Sequence, residues 1–305
     1  MTQTVFIDGA VGTTGLEIAE RLAGRPEFAL LTLDETRRKD ETARREAFHA
    51  ADFAILCLPD DAAREAVAMA GGSSVRIIDA SSAHRVAPGW VFGFPEIVGR
   101  SAVADAARVS NPGCYSTGFI ALVAPLVRTG LLPVDWPYTV NAVSGYSGGG
   151  KALIARFEAD PDIAWRGYAL GLGHKHVPEM QARCGLTHPP LFAPAVIPAH
   201  RGMVVEVPLP HAVIDIDADT LRHALSSFYA DSPVVRVAQE PPADGELVLR
   251  VGTGASDALT LHVFGGAEGI RLIALLDNLG KGASGAAVQS LNLMAGLEET
   301  AGLRL

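Results

Sequence analysis

The stretch Asn111-Pro112-Gly113-Cys114-Tyr115-Ser116-Thr117-Gly118 ends a polar turn and opens the apolar run "FIALVAPLV". Pro112 is excluded from a strand interior and Gly113 permits a sharp turn, so Cys114 is expected in the first turn of a helix. There the partial positive charge of the helix end and its unsatisfied N–H donors favour thiolate over thiol. The same N–H groups suit the oxyanion of a tetrahedral intermediate. The chemistry on offer is nucleophilic, with a buried structural thiol in a helix cap as the competing reading. Cys57, between Leu56 and Leu58 in an apolar strand, reads as inert core. Three cysteines, odd in number and far apart, form neither a disulfide framework nor a CxxC metal site, and no metal is expected.

A second constellation stands near the N-terminus. Gly9, Gly12 and Gly15, with Thr13 and Thr14 between them, separate the short apolar run Val5–Ile7 from a helix with apolar positions Leu16, Ala19 and Leu22. Glycines in a strand-to-helix turn let the backbone approach a pyrophosphate, which the helix end then attracts. A second strand, "FALLTLD", ends at Asp34, placed to take a ribose hydroxyl, and "ETRRKD" follows. Arg37, Arg38 and Lys39 suit a 2′-phosphate, which favours NADP over NAD; a solvated basic loop competes for each. A thiolate beside a nicotinamide narrows the chemistry to thioester formation and hydride transfer. Two candidate bases lie in Gly173-His174-Lys175-His176-Val177-Pro178-Glu179, and the residues alone leave open which imidazole acts.

The elements that must position these groups alternate. "DFAILCLPDDAAREAVAMA" reads as strand, Pro turn and helix, and "VRIIDASSAHR" as a strand ending in a polar loop that carries Ser81, a candidate cofactor contact, and Arg85. Repeated βα units imply a parallel, doubly wound sheet with ligand at the strands' carboxyl ends. The second half has longer alternating strands, "MVVEVPLP", "ELVLRV", "LTLHVFG" and "RLIALLDN". The expected fold is therefore α/β: a Rossmann-type parallel-sheet domain over 1–112, completed by the C-terminal helix 283–305, and an α+β catalytic and dimerisation domain over 113–282. "SGYSGGGK", from Ser144 and Gly145 onward, follows the strand "YTVNAV" and is expected to line the substrate and nicotinamide pocket. The 305 residues are 49% hydrophobic and 19% charged, as in a compact enzyme. A net charge of −9 argues against nucleic-acid or membrane partners. No targeting or membrane-spanning segment is read, so a cytoplasmic chain is expected.

Taken together, "SNPGCYSTG", "SGYSGGGK", "GHKHVPE", "HRGM" and "DNLGKGASGAAVQSLNLM" resemble the N-acetyl-gamma-glutamyl-phosphate reductase family, in its shorter subfamily. The likeness runs from the first strand to about Met294. It departs from longer members at "YSTG", where "YPTA" is usual, and at "HRGM", where "TRGI" is common. The resemblance implies NADP-dependent reduction of an acyl phosphate in arginine biosynthesis, through a Cys114 thioester, by a homodimer or homotetramer. It selects His174 as the base and Glu179 as its orienting partner. It also matches Arg201 to a carboxylate clamp, whose planar fork suits bidentate pairing, and Arg85 to a phosphate contact, and it places Asn278 near the nicotinamide. Three other readings compete. An aspartate-semialdehyde dehydrogenase shares the plan, but "NPGCY" and "DNLGKGASGAAVQ" speak against it. A cofactor-independent thiol acyltransferase or hydrolase predicts no NADP binding. A non-catalytic NADP-binding regulator predicts indifference to Cys114→Ser.

Overall fold

The computed structural model describes residues 2–212 and 214–305. Two compact units emerge: the chain through Gly113 with Ala283–Leu303, and Cys114–Gly282 with Arg304–Leu305. The first unit runs β1 (Gln3–Asp8), α1 (Thr13–Leu22), β2 (Phe28–Leu31), α2 (Glu41–Ala50), β3 (Phe53–Leu56), α3 (Asp60–Met69), β4 (Arg76–Asp79), β5 (Val91–Phe92), α4 (Pro95–Val98), α5 (Arg100–Ala104) and β6 (Arg108–Ser110). Its six strands are parallel, in the order β2-β1-β3-β4-β6-β5. Side chains alternate between sheet faces, so both faces need cover. Val5, Ile7, Ile55 and Ile78 pack with Ile18 and Leu22 of α1 on one side. Phe6, Ala54, Leu56 and Ile77 pack with Ala47 and Phe48 of α2 and Ala66 of α3 on the other. This is a doubly wound sheet. Its chain reverses winding direction between β1 and β3, and that is where such sheets bind ligands.

The second unit opens with α6 (Cys114–Arg128), followed by β7 (Thr139–Gly145), a 3-10 turn at Tyr146–Gly149 and α7 (Gly150–Ala159). Then come β8 (Arg166–Gly167), α8 (Val177–Cys184), β9 (Leu191–Ile197), β10 (Met203–Pro210), α9 (Ala218–Phe228), β11 (Val235–Val237), β12 (Leu259–Gly266) and β13 (Gly269–Leu276). The seven strands form a mixed sheet in the order β11-β12-β13-β10-β7-β9-β8. Every residue of α6 from Tyr115 to Val127 is buried, as expected of a helix apolar on all sides. Gly118 brings it close to β10: a Cβ there would stand 2.7 Å from Val205 Cγ2. After a π-helical turn at Gly280–Ser284, α10 (Gly285–Met294) returns to the first unit.

Four local expectations give way. "ELVLRV" forms no strand: the sheet takes β11, β12 and β13 as neighbours and leaves residues 246–251 outside it. The strand after α1 stops at Leu31, short of Asp34, whose carboxylate instead organises a turn. Leu16 is 52% exposed, and the buried stripe of α1 runs through Gly15, Ile18 and Leu22. Cys57 lies just beyond β3 rather than inside it.

Ala287, Val288, Leu291 and Met294 of α10 belong to the same core as β1 and α1. Truncating Leu291, which is fully buried, is expected to remove ~2–5 kcal/mol of stability. Denaturant unfolding of Leu291→Ala, followed by intrinsic fluorescence, measures the loss.

Candidate active site

In the first unit the glycine turn sits at the carboxyl end of β1, against β3. Gly9 has φ +88°, and a Cβ there would lie 2.3 Å from the Cys57 carbonyl oxygen. A Cβ on Gly15 would meet the Gly9 oxygen at 2.6 Å. Both positions therefore demand glycine. Gly12 N–H donates to Gly9 O at 3.0 Å, and Gly12 caps α1 with no side-chain hydrogen bond. Thr13 Oγ1 is buried without a hydrogen-bond partner, while Thr14 is half-buried in the same turn. Beside this turn lies a cavity of about 290 Å³ lined by Asp8, Gly9, Ala10, Val11, Arg38, Lys39 and Arg44, among others.

Arg37 stands outside that lining, on the surface, paired to Glu46 at 3.2 Å. Arg38 lines the cavity and pairs with Glu35 at 3.3 Å. Asp34 Oδ1 accepts from the Thr36 hydroxyl and from the N–H groups of Thr36 and Arg37, and these bonds hold its carboxyl below the usual range. Arg44 is a residue that sequence reasoning missed. It is buried on α2 and donates from Nε (3.1 Å) and Nη2 (2.7 Å) to Asp8 Oδ2. Burial pushes the Asp8 carboxyl up, with Arg44 pulling against it. A signal was present: Arg44 falls on the same helical stripe as Ala47 and Phe48, where a charge needs a buried partner.

At the end of β4 the fully buried Asp79 accepts from Ser81 N–H (2.9 Å) and the Ser81 hydroxyl (2.8 Å), and holds His84 Nδ1 at 2.6 Å. The Ser81 hydroxyl hydrogen is thus committed inside its own turn. Arg85, also buried, donates from Nε to Asn111 O at 3.0 Å, so its guanidinium braces the turn that leads to Cys114.

In the second unit Cys114 is the first residue of α6. Gly282 presses on it, since a Cβ at Gly282 would lie 2.9 Å from Cys114 Cβ. His174 Nδ1 accepts the His176 N–H at 3.1 Å, so the neutral ring carries its hydrogen on Nε2, which meets the Tyr168 hydroxyl at 3.2 Å. Burial pushes that hydroxyl up to about 12, with the Cys114 charge adding to the effect. Tyr168, not singled out from the sequence, is thus bonded to His174. Its only signal was a tyrosine six residues ahead of a histidine in a glycine-rich loop. The loop carries left-handed φ at Ala169 (51°) and Leu172 (63°), a strain that collects at functional segments. Glu179 is buried in the first turn of α8, its charge facing Arg183.

The remaining second-unit residues converge through backbone contact. Gly145 N–H donates to Gly202 O at 2.8 Å, and a Cβ on Gly145 would collide with His200 O (2.7 Å) and Arg201 N (2.8 Å). Ser144, just before it, is buried, and its hydroxyl donates to Gly145 O at 3.0 Å. Arg201 Nη1 donates to Asp277 Oδ2 at 2.7 Å. Asn278 joins two loops: its Oδ1 accepts Gly202 N–H at 3.0 Å and its Nδ2 donates to Ser147 Oγ at 2.9 Å. Asp277 also accepts Ser256 N–H and Leu279 N–H. Among the described residues no group of His, Cys, Asp and Glu could hold a metal ion, and no helix is long and apolar enough to cross a membrane.

A parallel nucleotide-type sheet, a mixed-sheet unit and a thiol at a helix start together define the semialdehyde dehydrogenase class. Residues 4–106 match the semialdehyde dehydrogenase NAD binding domain, and residues 114–278 match the semialdehyde dehydrogenase dimerisation domain. Aspartate semialdehyde dehydrogenase II from Vibrio cholerae shares the fold with TM-score 0.72 at 19% identity, over 97% of this chain and 99% of that one. The Candida albicans aspartate semialdehyde dehydrogenase, solved with NADP, aligns at TM-score 0.66 and 13% identity over 97% and 99%. Sequence relatives are far nearer. N-acetyl-gamma-glutamyl-phosphate reductase of Burkholderia lata is 49% identical over 98% of both chains, and reductase 2 of Nostoc sp. is 46% identical over 98% of both. The Rhizobium meliloti reductase is 48% identical over 96% of this chain and 99% of its own. This chain belongs to the N-acetyl-gamma-glutamyl-phosphate reductase family.

Two outcomes are expected. Burial, reinforced by the charges of Asp79 and Asp8, pushes the Cys57 thiol up to about 12, and burial pushes Cys184 up as well. At pH 8 Cys57 is then roughly one part in ten thousand thiolate. Iodoacetamide on the native protein should modify Cys114 alone, read by peptide mass spectrometry. Asp277→Asn removes the charge paired with the Arg201 guanidinium, and should lower kcat/KM about tenfold or more, as steady-state kinetics would show.

Proposed function

We propose that Cys114, His174 and Arg201 carry the reaction named for the family, reduction of N-acetyl-glutamyl 5-phosphate to N-acetyl-glutamate 5-semialdehyde and phosphate, a step of arginine biosynthesis. The observation that carries this reading is Cys114 at the start of α6, where the next residue, Tyr115, sets its ring edge-on to His174 with centroids 6.0 Å apart. The first unit fits a dinucleotide. Two glycines leave no space for a side chain, Thr13 Oγ1 is an orphaned buried hydroxyl, and Arg38, Lys39 and Arg44 put positive charge at the adjoining cavity. Those three residues would hold the 2′-phosphate of NADP, and the uncapped start of α1 its pyrophosphate.

His174 takes the Cys114 proton at Nδ1, the ring's basic lone pair, which requires the His176 N–H to yield. The thiolate attacks the acyl carbon, the α6 N–H groups take up the oxyanion charge, and the C–O bond to phosphate breaks to leave a thioester. When bound, NADPH supplies the hydride that brings the thioester to the aldehyde level. His174 returns its proton to the sulfur as the C–S bond breaks. Arg201, fixed by Asp277, holds the substrate carboxylate, and Arg85 meets the phosphoryl group. The protein is expected to be a cytoplasmic homodimer or homotetramer.

The test is phosphate- or arsenate-dependent reduction of NADP⁺ with N-acetylglutamate semialdehyde. Wild type should turn over, and Cys114→Ser should fall by about three orders of magnitude or more while still binding NADP⁺ by titration calorimetry. A wild type that binds NADP⁺ but leaves this aldehyde untouched would sink the reading.

A further inference from the structure

The stretch Glu246-Leu247-Val248-Leu249-Arg250 lies between two turns, closed by Gly245 N–H to Pro242 O (2.9 Å) and Thr253 N–H to Arg250 O (3.1 Å). Its residues alternate strictly, with Leu247 and Leu249 half-buried and Glu246, Val248 and Arg250 exposed. That is the period of an extended chain. Leu249 seats on its own unit, its Cδ1 2.6 Å from where a Gly202 Cβ would be. Among the described residues, no hydrogen bond involves the backbone N–H or C=O groups of Leu247, Val248 or Leu249. Val248 is 52% and Val251 70% exposed, and among the described residues neither Glu246 nor Arg250 takes part in an ion pair. An alternating segment with an open ladder is a template for another strand.

We propose that Glu246–Arg250 pairs antiparallel with the same segment of a second copy of this chain, about a two-fold axis through Val248. The sequence is complementary to itself in one register. Residues directly opposite in an antiparallel pair share a face, and a two-fold axis relating the segments is perpendicular to that face. Half-buried leucines must therefore oppose leucines, which eliminates every register that pairs odd with even positions. Of those left, the one centred on Val248 sets Leu247 against Leu249 and Glu246 against Arg250, twice over by symmetry. Centring on Leu249 sets Glu246 against Gly252, and centring on Leu247 sets Leu249 against Gly245 and sends Arg250 to Asp244 inside the turn closed by Pro242 O, outside the extended stretch. Because Leu249 rests on Gly202, beside Arg201, the contact would also brace the loop that carries the carboxylate-binding arginine. The proposal is independent of which aldehyde the enzyme forms.

Charge reversal tests it. Arg250→Glu opposes two glutamates across the axis, Glu246→Arg opposes two arginines, and the double exchange restores both pairs. Sedimentation velocity of the full chain, with circular dichroism to verify folding, should show each single variant dissociating to a smaller assembly at a concentration about tenfold or more above wild type's. The E246R/R250E protein should return to wild-type behaviour. Val248→Cys in a Cys114→Ser background should cross-link two chains on mild oxidation. Assembly unchanged in both single variants, a double exchange as weak as either single one, or a Val248→Cys protein that stays uncross-linked overturns the pairing.

Discussion

One buried carboxylate organises the second unit. Asp277, 3% exposed, receives the Arg201 guanidinium and the N–H groups of Ser256 and Leu279. A carboxylate this buried is tolerable only when its lone pairs are occupied by charged or amide donors. Each donor comes from a different stretch of chain, so meeting the requirement draws the stretches together. Asn278, the next residue, joins Gly202 to Ser147, and the turn that follows, closed by the Asp277 carbonyl, brings Gly282 onto Cys114. Arg201, the glycine-rich loop and the helix that begins at Cys114 are thereby held through one two-residue junction.

Glycine does complementary work wherever backbone must touch backbone. Gly145 admits the Arg201 loop, Gly118 lets α6 settle on β10, and Gly9 lets the first turn reach the Cys57 carbonyl. None of these contacts is a strong interaction in itself. Each removes the volume that would keep a helix or loop an ångström or two from the position its chemistry requires. In the first unit the same economy leaves the start of α1 without a side-chain cap and a hydroxyl unpartnered, polar groups that a phosphate-rich ligand would satisfy.

The βα alternation was legible because its signals are local. Val5–Ile7, "FAILC" and "VRIID" are short apolar runs, each beside a glycine or proline turn, and all three became adjacent parallel strands. Local pattern failed where occupancy decided the outcome. "ELVLRV" has the alternation of a strand, yet β12 pairs with β11 and β13 and the segment joins neither sheet. Leu16 has a core residue's chemistry, but Gly15 and Ile18 turn the helix so that it faces outward. Arg37 and Arg38, equivalent in the sequence, separate in space: one pairs with Glu46 on the surface while the other lines the cavity.

By itself the sequence determined which reactive groups exist and which element begins beside each one. A cysteine after Pro-Gly at the head of an apolar run, and glycines between a strand and a helix, depend on backbone geometry over a few residues. Tertiary structure alone decided which groups share a partner: Arg44 with Asp8, Tyr168 with His174, and Arg201 with Asp277, 76 residues away. Pairing of that kind follows from burial, which obliges every enclosed charge to find an opposite one, and burial is a property of the assembled fold rather than of any stretch of chain.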